Sequence, residues 1–158
     1  LGMSGMEQPA PAVAPLPVHA PPRPSDEAVS RLLSKVGGTL EEAVSATELA
    51  WNCKELDAED AKVVAYVLAV SGSLATLYLQ RNNIGDAGAI AIATAVAASG
   101  SLALLDISYN EIGSEGATAL AAGVVASGSL AELWLSGNTI GDEGAKALAA
   151  GVAASGSL

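Results

Sequence analysis

The feature that most constrains this chain is an internal repeat in its C-terminal part. Three successive units open on Ser-Leu-Ala, each 28 residues after the last, at Ser73, Ser101 and Ser129. A degenerate unit starts at Ser45, and residues 157–158 begin a fifth. A unit of this length cannot bury its apolar face alone, so neighbouring units must stack. The repeat therefore predicts a solenoid over residues 45–158, with units 45–72, 73–100, 101–128 and 129–156.

The first half of each unit predicts a strand and a turn. Leu77 and Leu79 alternate with polar or aromatic residues, which is typical of a strand with one buried face. Asn82 follows where the chain must turn, and an Asn amide can both donate to and accept from buried backbone groups. Asn110 and Asn138 repeat it, which predicts a ladder of asparagines. The first unit has Lys54 instead, so its turn must be satisfied in another way.

The second half of each unit predicts a helix. Ala89, Ile92, Ala93 and Val96 have the spacing of an apolar helix stripe, and every unit repeats it. Acidic residues near the helix starts suit the helix dipole. Glycines after the helices predict left-handed C-caps, at Gly100, Gly128 and Gly156.

The phrases Asn-Asn-Ile-Gly-Asp-Ala-Gly-Ala at 82–89 and Asn-Thr-Ile-Gly-Asp-Glu-Gly-Ala at 138–145 carry a family resemblance. The chain resembles the ribonuclease-inhibitor-like class of leucine-rich repeats, which is also found in NOD-like receptors. The resemblance implies an α/β solenoid, a short horseshoe arc with parallel strands on the concave side and helices on the convex side. It also implies a protein-binding function, usually on the concave face and its loops.

The residues before the repeats differ in composition. Residues 1–24 hold every proline and predict an extended or disordered Ala/Pro-rich arm, in which His19 stands alone. A helix start at 24–27 and an apolar stripe ending before Gly37–Gly38 predict a helix. We expect region 25–44 to cap the N-terminal end of the solenoid; docking of a partner is the alternative role for this helix.

Composition limits the partners and the compartment. The net charge of −10 excludes the basic footprint that nucleic acid requires, and it favours basic protein partners or solubility alone. Cys53 is the single cysteine, which fits a reducing compartment. No secretory signal is visible, and polar residues interrupt every Ala-rich run before it could span a membrane. We therefore expect an intracellular protein, in the cytoplasm or inside an organelle.

The repeats lack the residues that catalysis usually needs. They contain no His, no phosphate-binding or dinucleotide motif, and too few carboxylates in any one loop for a calcium site. We therefore expect no enzymatic activity, cofactor or metal. A remote alternative is regulation of a small GTPase through Arg81, because the GTPase-activating protein of Ran belongs to the same repeat class.

Outward strand positions and the loops after them are the candidate binding residues. Exposed aromatics there are natural anchors, although single exposed apolar residues are also common in proteins without a binding role. A four-strand face is about 20 Å wide, which is small for a protein interface. The candidates are Tyr78, Gln80, Arg81, Asp106, Ser108, Tyr109, Glu132, Trp134 and Ser136.

The helices supply a second candidate surface. Their predicted outward positions are small and uncharged, which indicates either a relaxed composition or packing against other subunits. The sequence thus predicts a non-catalytic binding or scaffolding module. The alternative is a structural subunit of a large multiprotein assembly, either membrane-associated or not. The outward positions are Ala91, Ala95, Ala98, Ala119, Gly123, Ala126, Ala147, Gly151 and Ala154.

Overall fold

The computed structural model describes residues 21–158. Residues 1–20 of the arm predicted at 1–24, which include His19, lie outside the described residues. Two helices precede the first strand, and strands then alternate with helices. The elements are α1 (Asp26–Val36), α2 (Leu40–Ser45), β1 (Glu48–Ala50), α3 (Ala58–Val70), β2 (Thr76–Tyr78), α4 (Gly85–Ala98), β3 (Leu104–Asp106), α5 (Ser114–Ala126), β4 (Glu132–Trp134) and α6 (Gly141–Ala154).

The four strands form one parallel sheet in the order β1-β2-β3-β4. Each strand pairs with the next at a shift of one repeat, so that Leu49, Leu77, Leu105 and Leu133 stand in one row. Leu77 and Leu105 are completely buried beneath the sheet. Strands stack more closely than helices do, so the strands line the concave side of the arc and the helices its convex side. The predicted solenoid is confirmed.

The asparagine ladder joins each turn to the unit before it. Asn82 Oδ1 accepts from the backbone N–H groups of Lys54 and Leu56, at 2.9 and 3.0 Å. Its amide nitrogen donates to the carbonyls of Trp51 and Leu79, at 2.9 and 2.8 Å. The turn of the first unit is therefore satisfied by the second unit. An asparagine at position 54 would bond to the turn of a preceding repeat unit. Because α1 and α2 precede β1 in place of such a unit, this position does not require an asparagine.

Serines, not glycines, end the repeat helices. The C-cap of α4 is Ser99, in an extended conformation, and its Oγ accepts from the backbone N–H groups of Ser101 and Leu102 at 3.3 and 3.1 Å. Ser101 Oγ in turn donates to the Leu74 carbonyl of the preceding unit at 2.8 Å. The predicted left-handed caps are wrong, because Gly100, Gly128 and Gly156 do not have positive φ angles. The Ala-Ser-Gly-Ser-Leu junction is thus a second ladder of hydrogen bonds between units.

Small residues let the helices pack closely side by side. The predicted apolar stripe of α4 is buried. Ala95 is only 2% exposed, and Gly123 and Gly151 are also buried, so their prediction as outward positions is wrong. A Cβ added at Gly123 would lie 2.6 Å from the Ala93 carbonyl oxygen of the neighbouring helix. The Ala/Gly composition therefore serves contacts between helices within the solenoid.

Helices α1 and α2 precede the sheet, and α1 packs against α3. Ser25 caps α1, whose Val29 and Leu32 are buried in the common core. Sequence reasoning missed α2 as a separate element, although Thr39 and Glu42 form a reciprocal capping box at its start. The Thr-x-x-Glu spacing was the available signal.

Ion pairs tie α1 to the start of α3. The Asp60 carboxylate is 1% exposed and lies 2.6 Å from Lys35 Nζ and 3.7 Å from Arg31 Nε. Arg31 also pairs with Asp57, the N-cap of α3. Partial burial alone would raise the pKa of Asp57, but hydrogen bonds from the Asp60 backbone N–H and from Arg31 outweigh it and lower that pKa. A lowered pKa stabilises the fold above pH of about 4, and this contribution is lost as the pH falls through the lowered pKa.

The first prediction concerns the asparagine ladder. Asn82→Ala leaves buried backbone groups of two units without partners, so we expect it to lower the free energy of unfolding by about 3 kcal/mol. Denaturant unfolding followed by circular dichroism measures the loss. Asn83→Ala is the matched control, because Asn83 is exposed and engages only its backbone N–H, with Leu56. Equal losses in both variants would contradict the structural role of the ladder.

The second prediction concerns the buried carboxylate between α1 and α3. Asp60→Asn removes the partner of Lys35 and should lower the free energy of unfolding by about 3 kcal/mol. Glu59→Gln makes the same chemical change one residue away, in an exposed pair with Lys62, and should cost less than about 0.5 kcal/mol. The same unfolding measurement compares the two, and a smaller effect at Asp60 than at Glu59 would refute the prediction.

Candidate protein-binding surface

The outward side chains of the strands and of the residues after them form three rows across the concave side. We call this surface the strand face. The rows are straight because the strands pair in register. They consist of Glu48, Thr76, Leu104 and Glu132; of Ala50, Tyr78, Asp106 and Trp134; and of Asn52, Gln80, Ser108 and Ser136.

The middle row places a carboxylate between two aromatic residues. Asp106 stands in register with Tyr78 on one side and Trp134 on the other. The Trp134 side chain is 53% exposed, and its indole N–H donates to the Glu132 carboxylate at 3.2 Å. Asp106 is only 8% exposed, and its Oδ1 accepts from the Ser108 backbone N–H at 3.0 Å. The row thus has an exposed indole beside a buried carboxylate.

A second feature borders the strand face at the loop after each strand. The residue at this position is left-handed in every unit, with φ between 54° and 70° for Cys53, Arg81, Tyr109 and Gly137. The Arg81 guanidinium lies over the Tyr109 ring, 4.7 Å from its centre. The ring in turn lies across Gly137, where any Cβ would overlap it. These three residues therefore form one stack, which we call the rim stack.

The structure divides the predicted binding residues into exposed and sheltered ones. Arg81, Tyr109, Glu132, Trp134 and Ser136 are exposed, and Tyr78 and Gln80 are partly exposed. Asp106 and Ser108 are buried, with 8% and 5% of their surface exposed. They lie in the rows of the strand face, on the predicted side of the sheet. Sequence reasoning found Arg81 and Tyr109 but missed Gly137 and the stacking of the three residues, although their spacing of one repeat was a signal.

The charge of the strand face is negative. Its three rows contain three carboxylates, on Glu48, Asp106 and Glu132, and no lysine or arginine. Arg81 is the cation next to it, and its position over the Tyr109 ring is a cation–π contact. The face is therefore electrostatically suited to a positively charged ligand group.

The convex side offers shallower, apolar surface. Ile90 and Val125 are 38% and 47% exposed on α4 and α5. A groove of about 310 Å³ lies between these helices, and its lining includes Ile90, Thr94 and Ala122. Beyond Asp86 and Glu115 in their first turns, neither helix carries a charged residue. We call the outward side chains of α4–α6 the helix face.

The described part of the chain contains no group of three or more His, Cys, Asp or Glu side chains arranged to hold a metal ion. Within residues 21–158, no helix is both long enough and apolar enough to cross a membrane. Cys53 is exposed and not in a disulfide.

Comparisons with known proteins agree with this architecture. A family model described as Leucine Rich repeat matches residues 73–93, 101–121 and 129–149, one segment in each regular unit. A search of curated proteins finds no match. Among solved structures, the actin-binding site 2 of leiomodin-1 is similar, with a TM-score of 0.70 and 20% identity over 85% of this chain and 77% of that one. The spacing, the ladders and the matching family model together show that residues 73–149 consist of leucine-rich repeats.

Proposed function

We propose that this chain is a non-catalytic protein-binding module whose binding surface is the strand face together with the rim stack. The observation that carries the proposal is the exposure of two large aromatics, Trp134 at 53% and Tyr109 at 49%, on a surface held rigid by the two ladders of hydrogen bonds. Exposed tryptophan and tyrosine are enriched among residues that dominate binding energy. Solenoids present such concave surfaces for binding.

The class and the location of the protein are parts of the same proposal. A helix of 13 or 14 residues in every unit supports a ribonuclease-inhibitor-like repeat. A single cysteine supports a reducing, intracellular compartment, in which the module would act as a scaffold or adaptor. The acidic strand face favours a basic partner. The leiomodin-1 domain is described as an actin-binding site, so actin is one defined protein to test.

A second candidate is a structural subunit whose helix face packs against other proteins. It is favoured by the exposed Ile90 and Val125 and by the absence of charge along most of α4 and α5. The best positions to test it are Ala122 and Ala150, because both are exposed and equivalent in successive units, whereas Ala119 and Ala147 are partly buried.

The third prediction separates the two surfaces. The wild-type chain should bind a protein captured from a native extract, or purified actin. Trp134→Ala or Tyr109→Ala should weaken that binding about 30-fold, the range expected for an anchor residue. Val125→Ala removes a side chain of similar exposure from the helix face and should leave binding unchanged. Binding by surface plasmon resonance gives both numbers.

The reverse pattern would favour the structural subunit. In that case the pair Ala122→Glu and Ala150→Glu would abolish incorporation into a large complex, measured by size-exclusion chromatography of the native extract. The aromatic variants would then incorporate normally, and the strand-face proposal would be wrong.

A further inference from the structure

The middle row of the strand face has a geometry that selects one kind of ligand group. We propose that Tyr78, Asp106 and Trp134 form a notch that receives a lysine or arginine side chain from an extended, basic segment of the partner. We call these three residues the cation notch. This inference rests on the proposed protein-binding function of the strand face and specifies the chemistry of the partner.

The carboxylate of the notch lacks a cation of its own. Asp106 is 8% exposed, and one of its oxygens accepts from the Ser108 backbone N–H. Among the described residues, no lysine or arginine forms an ion pair with it. Aspartate is rarely buried without a paired charge, because burial removes the water that stabilises the carboxylate. The buried Asp60 shows the usual arrangement, with Lys35 and Arg31 beside it. A cation from a partner would complete the site at Asp106 in the same way.

The two aromatic neighbours add to the attraction for a cation. Strands in a sheet are about 4.8 Å apart, so a cation paired with Asp106 would lie within reach of the rings of both Tyr78 and Trp134. The hydrogen bond from the Trp134 indole to Glu132 restricts the rotation of that ring and adds a second carboxylate beside the notch. A carboxylate between two rings binds ammonium or guanidinium groups and disfavours anions.

The other charges of the strand face also favour a positively charged ligand group. The strand face carries three carboxylates and no basic residue, and the Arg81 guanidinium beside it is engaged with the Tyr109 ring. A negative concave surface attracts positive groups over several ångströms. The face is about 20 Å wide, which matches an extended segment of about six residues better than a globular surface. The occupant is therefore a short basic segment of a protein.

The fourth prediction uses a random hexapeptide display library as the probe. Selection on the wild-type chain should enrich peptides that carry lysine or arginine at one position. Selection on Asp106→Asn should lose that preference, because asparagine keeps the acceptor for the Ser108 N–H but has no charge. Selection on Trp134→Ala should fail altogether. Circular dichroism and thermal unfolding check that both variants are folded.

The affinity of a selected peptide then tests the contact directly by fluorescence anisotropy. Asp106→Asn should weaken binding about 30-fold, and replacing the lysine or arginine of the peptide by glutamine should weaken it equally. The two changes together should cost no more than either alone. Glu115→Gln removes the same charge from an exposed position in the first turn of α5, outside the strand face, and should change the affinity by less than about twofold.

The outcomes separate this inference from the proposed function. Peptides that bind in a Trp134-dependent way, but without a basic residue or without sensitivity to Asp106→Asn, would overturn the cation notch and leave the strand face as the binding surface. Selection that yields no peptide, or peptides insensitive to Trp134→Ala, would overturn both. Equal binding of free lysine methyl ester and of the peptide would show a small-cation site and would also overturn the proposal of a protein segment.

Discussion

The side-chain amide of one asparagine per unit is the interaction on which the rest of this structure depends. Asn82, Asn110 and Asn138 each bond to backbone groups of their own turn and of the preceding one. These bonds satisfy polar groups that stacking would otherwise bury unpaired, which would cost about 1–3 kcal/mol each. They also fix the offset between neighbouring units at one repeat. The register of the sheet follows from that offset, and so do the straight rows of side chains on the strand face. The rows of the proposed binding surface therefore depend on a polar ladder that is largely buried beneath it.

The sequence was sufficient to predict strand, turn and helix in each unit, because apolar periodicity and the position of Asn82 act within single units. It was not sufficient where two units meet. Ser99 and Ser101 flank Gly100 in a segment whose sequence is also compatible with a glycine C-cap. The need for serine becomes clear only from the hydrogen bond of Ser101 to the Leu74 carbonyl of the preceding unit. The same limit explains Asp106. Alternation along a strand predicts which side Asp106 faces, but its exposure also depends on the side chains of adjacent units, and Tyr78 and Trp134 stand in register with it.

Contacts between units also weaken the hypothesis that the helix face packs against other subunits of an assembly. Its basis in the sequence was a row of small residues along the helices. Ala95 and Gly123 in that row are buried between adjacent helices, where the helix spacing requires them. A stacked helix has neighbours on both flanks and the sheet beneath it, so more of its circumference is buried than in a helix at the surface of a globular domain. The buried small residues are thereby explained within the solenoid, whereas exposed ones such as Ala98 and Ala126, together with Ile90 and Val125, still favour a partner on the convex side.

The rim stack shows how repetition can give a surface a direction. The backbone at this position is left-handed in every unit, which costs about 1 kcal/mol for each residue other than glycine. In the last three units the adjacent asparagine bonds to a carbonyl of the same turn, and the side chain at this position varies from unit to unit. Arginine, tyrosine and glycine follow one another there, and the missing Cβ of Gly137 makes room for the ring that carries the Arg81 guanidinium. The cation is thereby held at the rim while the carboxylates occupy the strand face. The rim and the strand face therefore differ in the sign of their charge, which gives the surface a direction.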